Sequence, residues 1–315
     1  MCAHKNGDDV PHGTIAATQI TPAKNPLQIA GHLAIWASAY SVGVAIILGE
    51  FLNRPIGFLE LAYVALCAHS GYLFDRIKFR DADLDPADLM ADPRRHLFLR
   101  QFTKPLRILM VTEWIGAMAI GSLISPILGI LVLGGIVAGY LYSGWRPVTN
   151  TTGGHGHGRL KDLPGLKAGL VGCSVVGLGL AAIFGAELPL GGADFWDRWM
   201  KLFGETPWII VVGVLVMVCG DAVICDLDDR ESDGKYFTQS LPVMIGMRPA
   251  ALVAAGLLVA GGLLVVVDAG DEVRMRALFG AMVAVSGIGI MRQQKRRDWI
   301  DGRMLIVVLS VMLAG

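Results

Sequence analysis

Residues 207–233 read PWIIVVGVLVMVCGDAVICDLDDRESD: nineteen residues, 207–225, that are apolar but for Asp221, followed at once by four Asp and a Glu. A helix needs about 20 mostly apolar residues to cross the hydrocarbon core of a bilayer. This stretch therefore reads as a membrane span whose end carries a cluster of carboxylates. Outward from it the pattern repeats, with apolar stretches near 28–52, 56–75, 105–124, 126–145, 165–186, 249–267, 275–291 and 302–315. The expected fold class is all-α, an integral membrane bundle of about nine transmembrane helices. Composition agrees, since 54% of the 315 residues are apolar, 17% are charged and the mean hydropathy is +0.55, values foreign to an ordinary soluble domain. Residues 1–27 are polar and read as a cytoplasmic tail, leaving 28–315 as one membrane-embedded domain.

The 27 basic and 27 acidic residues cancel, so no overall basic field points to nucleic acid. The five cysteines show neither metal-type clustering nor a disulfide framework. Direction follows from Lys and Arg in the short connections, which resist translocation. Nineteen of them fall in the connections after spans two, four, six and eight, against five (Arg54, Arg198, Lys201, Arg274 and Arg276) on the other side. The richer side is expected to face the cytoplasm. On the opposite side, the segment 187–206, with its DFWDRWMKLF, reads as an interfacial loop or amphipathic helix.

In the quoted stretch Asp226, Asp229 and Asp233 stand at i, i+3 and i+7, which puts three carboxylates within roughly 60° of one helix face. Like charges crowded at a membrane surface repel and lose hydration, a cost that a cation offsets. Mg²⁺ takes oxygen ligands and commonly bridges one or two carboxylates to a phosphate. The alternative is a solvated acidic helix end neutralised by Arg230 and Lys235. Other polar residues carry less: His155 and His157 fit a flexible Gly-rich loop as well as a metal site, and Glu113, Asp221 and His69 fit helix-to-helix hydrogen bonding as well as function.

The spacing from Asp226 to Asp233, followed by Ser240, Leu241, Pro242, Val243 and Gly246, resembles the second aspartate motif of the UbiA superfamily of intramembrane prenyltransferases. Tyr142 and Ser143, then Arg159, Leu160 and Lys161, then Pro164 and Gly169, resemble that family's stretch between spans four and five. The first motif departs. Asp75 is its one matching acid, with Gly71, Tyr72 and Phe79 at the other positions, and Asp81, Asp83, Asp85 and Asp88 follow in what reads as a loop.

The resemblance implies Mg²⁺ held by Asp226, Asp229 and Asp233, with Asp75 and Asp81 as candidates for a first site. It implies a prenyl diphosphate donor contacted by Arg159, Lys161 and Tyr142, and less directly by Arg230 and Lys235. Asp229, Asp233 and Lys161 are the implied catalytic residues. The expected partners are the donor, an apolar or aromatic acceptor and membrane lipid, and the expected reaction is prenyl transfer. A terpene cyclase of the same superfamily and a cation-binding transporter are the competing expectations.

Overall fold

The computed structural model describes residues 26–79, 86–144, 159–185, 187, 194–236, 238–267, 273–293 and 296–314. The described residues are helical and contain no strand. The helices are α1 (Pro26–His32), α2 (Ile35–Phe51), α3 (Phe58–Ile77), α4 (Pro86–Ala91), α5 (Pro93–Gln101), α6 (Thr103–Ile124) and α7 (Pro126–Gly139). They continue with α8 (Leu166–Gly185), α9 (Phe195–Glu205), α10 (Trp208–Lys235), α11 (Leu241–Ile245), α12 (Met247–Val267), α13 (Val273–Ile290) and α14 (Arg296–Ala314).

Within the described residues, helix covers most of each of the nine expected apolar stretches. By length and apolarity, however, five helices among the described residues (α6, α7 with the π turn after it, α8, α10 and α12) are able to cross a membrane, or six if α1 and α2 form one span. α13 falls short in length, its apolar part being Leu278–Ile290, and local composition accounts for α3 and α14. α3 carries Glu60, Asp75 and Arg76, and α14 begins RRDWIDGR, so neither reads as continuous hydrocarbon-compatible surface.

The first expected span is broken. α1 and α2 meet at 75° around Ala34, which adopts the left-handed conformation at φ 63°. Two contacts from α3 hold the break. Arg76 donates to the carbonyls of Gly31 (3.2 Å) and His32 (3.4 Å) at the end of α1, where the negative end of the helix dipole attracts a cation. His69 meets the Leu33 carbonyl through Nε2 at 2.9 Å and Glu113 of α6 through Nδ1 at 2.7 Å.

α10 is the axis of the larger core, packed by α2, α8, α12 and α14. Where α10 crosses α12 the backbones nearly touch, and a Cβ added to Gly261 would stand 2.6 Å from the Gly213 carbonyl oxygen. Close approach at small residues is how helices gain contact in lipid, where apolar burial alone drives nothing. One buried ionic cluster crosses this core. Asp221 accepts hydrogen bonds from Tyr40 of α2, at 2.7 Å, and from Arg303 of α14, which also donates to Val283 O (3.0 Å) and Ser286 Oγ (3.1 Å) of α13. Asp221 is thus a paired strut between four helices. α9 exposes Trp196, Trp199, Met200 and Phe203, as an interfacial helix should.

Candidate functional site

α10 runs past its apolar stretch through Asp226, Asp229 and Asp233. The face inferred from their spacing is real, for all three line one cavity of about 150 Å³ together with Asp75, Arg76, Arg95, Tyr142, Lys161 and Lys167. α4, packed on α10, contributes Asp88 to the lining.

Local chemistry sets each wall. The segment entering α8 is a 3₁₀ turn, Leu160–Asp162, anchored from behind. Arg159 grips Asp162 with two hydrogen bonds, Nε to Oδ2 at 2.8 Å and a terminal nitrogen to Oδ1 at 2.7 Å, and Thr238 donates to Asp162 Oδ1 at 2.9 Å. A bidentate, buried guanidinium–carboxylate pair is geometrically strict. Gly165 then turns at φ +67°, with its N–H on the Gln239 carbonyl at 3.0 Å. These ties fasten the segment bearing Lys161 and Lys167 to the chain leaving α10. Arg159 itself is outside the cavity lining.

Lys167, in the first turn of α8, is the centre of the acidic wall. Its Nζ lies 2.8 Å from Asp226 Oδ1, 2.9 Å from Asp233 Oδ2 and 3.7 Å from Asp229 Oδ2. The opposite wall inverts this ratio. Asp75 Oδ1 takes Lys78 Nζ at 3.0 Å and Lys161 Nζ at 3.3 Å, and Lys78 also donates to Ser143 Oγ at 2.7 Å. Burial pushes the Lys78 pKa down from the usual lysine range, with the Asp75 carboxylate opposing and Lys161 adding to that push. The π turn Tyr140–Gly144 brings Tyr142 into the cavity and Ser143 to Lys78. Lys161 Nζ lies 5.9 Å from the centre of the Tyr142 ring, within cation–π range.

The sequence-derived candidates therefore separate. Asp75, Tyr142, Lys161, Asp226, Asp229 and Asp233 meet in one cavity. Arg230 and Lys235 are exposed outside its lining, Lys235 resting over the Tyr236 ring. Asp81, Asp83, Asp85, His155 and His157 lie outside the described residues. Sequence reasoning overlooked Lys167, Arg76 and Arg95 as lining cations and Asp162 as a clamp. A signal for Lys167 existed, since it opens an apolar helix as GLKAGL, where an ionisable side chain usually has a task.

The acidic wall matches Mg²⁺ in donor type. Its donors are hard oxygens, and Asp226, 4% exposed, has its Oδ2 buried without a hydrogen-bond partner. That chemistry fits. The space fits only once Lys167 withdraws, because its ammonium stands between the carboxylates, and no three His, Cys, Asp or Glu side chains among the described residues are poised around one metal position.

No family model and no curated protein matches the sequence. Among solved structures, the apo form of a UbiA homolog from Aeropyrum pernix K1 matches at a TM-score of 0.62 and 16% identity, over 88% of this chain and 97% of that one. The likeness shows the fold. The protein is an all-helical integral membrane protein of UbiA-type architecture, with a charged cavity at one end of its bundle.

Proposed function

We propose that the protein is an intramembrane prenyltransferase whose cavity takes the diphosphate of a prenyl donor and transfers the prenyl group to an apolar or aromatic acceptor. The observation that carries this reading is the convergence of Arg76, Arg95, Lys161 and Lys167 with the α10 carboxylates in one cavity of a UbiA-type bundle. We further propose that the cavity faces the cytoplasm, from the bias of basic residues in the connections.

Cleavage of the allylic carbon–oxygen bond leaves its electron pair on the diphosphate and a positive charge on the prenyl carbon. The acceptor supplies the new bond and loses a proton. Fixed cations aimed at the leaving group lower this barrier because they stabilise charge as it develops, at no reorganisation cost. Lys161, Lys167, Arg76 and Arg95 supply the positive lining, and the Tyr142 hydroxyl is an additional donor. Asp75 orients Lys161 for this work. Asp226, Asp229 and Asp233 would hold Mg²⁺, which supplies Lewis-acid stabilisation of diphosphate when bound. The lipid-facing apolar helix surfaces accommodate the prenyl chain.

One feature favours a second reading. Tyr72, at a position where the resemblance implies an acid, and Tyr142 both line the cavity, and aromatic faces stabilise a carbocation held long enough to cyclise. Incubating the protein in nanodiscs with several prenyl diphosphates, with and without membrane extract, separates the two. Prenylated adduct with diphosphate release supports transfer, cyclic product without acceptor supports cyclisation, and no diphosphate release from any donor overturns both.

A further inference from the structure

The carboxylates of the α10 wall are served by an ammonium from their own chain. Lys167 donates to Asp226 and Asp233 and lies near Asp229, so its single charge is divided among three carboxylates. The pairing is incomplete: the buried Asp226 Oδ2 has no hydrogen-bond partner. Lysine carries its charge on a flexible four-carbon stem with at most three donors, and Lys167 lines the same cavity as Lys161, Arg76 and Arg95. It can therefore turn from the carboxylates to an anion in that cavity without any change in the helices. A divalent cation and the Lys167 ammonium cannot share the space between Asp226 and Asp233, because like charges at such range repel strongly in a partly buried setting.

We propose that Lys167 is a tethered counter-cation that occupies the α10 carboxylate site in the ligand-free protein and transfers to diphosphate when it binds, so that divalent metal and diphosphate enter together and each binds poorly alone. The proposal rests on the diphosphate reading of the cavity. It goes beyond that reading by giving the vacating residue and the order it imposes. At the opposite wall Lys161 pairs with Asp75 in the same manner, so the diphosphate draws on Lys161 and Lys167 from both sides while the freed negative charge collects on α10. The linkage is reciprocal: whatever factor diphosphate adds to metal affinity, metal adds to diphosphate affinity.

The test uses the full chain in nanodiscs, with Mn²⁺ as the spectroscopic probe and inorganic diphosphate as the anion, at controlled free Mn²⁺. In the wild type, diphosphate should raise bound Mn²⁺ by at least about fivefold. Lys167→Met and Lys167→Gln, each confirmed folded by melting and elution, should bind Mn²⁺ without diphosphate at least about tenfold more tightly than the wild type and lose most of the diphosphate effect. Adding Asp233→Asn to Lys167→Met should abolish the gained affinity. Wild-type protein that binds one Mn²⁺ equally well with and without diphosphate overturns the proposal, whatever the variants do. Variants with wild-type Mn²⁺ affinity overturn it as well. These readings involve no prenyl donor, so failed turnover in the assay above would count against the enzyme reading and leave this result standing.

Discussion

The two walls of the cavity are built from the same residue types in opposite ratio. On α10 three carboxylates share one lysine, whereas at the end of α3 two lysines share one carboxylate. The resemblance implies two acidic faces, whereas here Asp75 at the end of α3 is met by two lysines. The lesson is a division of labour. The α10 wall is suited to a cation and the α3 wall to an anion, so replacements of equal size on the two sides should fail differently.

The largest effect is expected on the acidic wall. Asp229→Ala and Asp233→Ala should each lower turnover with a prenyl diphosphate at least about a hundredfold while melting changes little, since the proposed metal-holding role would act mainly on transition-state charge. Near wild-type activity in both would break the comparison. Next comes the cationic wall. Lys161→Ala should cost about thirtyfold in kcat/KM, with partial recovery in Lys161→Arg, because a positioned charge on the leaving group contributes a few kcal/mol. Asp75→Asn should act through Lys161 and Lys78, raising KM for the donor while the Mg²⁺ requirement stays nearly unchanged. A raised Mg²⁺ requirement would instead make Asp75 a metal ligand and restore two acidic walls.

Behind the walls, Arg159→Met should lower stability by about 3 kcal/mol, seen as a reduced melting temperature, since it leaves the buried Asp162 without its main partner. The smallest effect is expected outside. Arg230→Ala and Lys235→Ala should leave kcat/KM within about twofold, as exposed charges near a cluster contribute little. A larger loss in either would extend the site beyond the cavity described above.

Much of this architecture is legible in local sequence. Apolar length marks the helices, and the i, i+3, i+7 spacing of Asp226, Asp229 and Asp233 needs only helical periodicity to make one face. Tyr142 and Lys161 were found through motif resemblance and do line the cavity. Reading fails where a partner is distant. Arg230 and Lys235 are the nearest cations to the Asp cluster along the chain, yet the cluster is served by Lys167, 66 residues from Asp233. Arg159 carries the charge expected of an anion ligand, but it donates to Asp162 and Thr238.

The sequence by itself determined that the chain is a helical membrane protein, where its apolar stretches lie and that one helix carries a triple-carboxylate face, because these follow from hydropathy and helix period over fewer than about 30 residues. Only the tertiary structure decided which cation meets that face, which wall of the cavity is positive and where the first apolar stretch breaks. Those outcomes depend on which helix ends are brought together. In a low-dielectric bundle an ionisable group is governed by its nearest partner in space, whatever the separation along the chain.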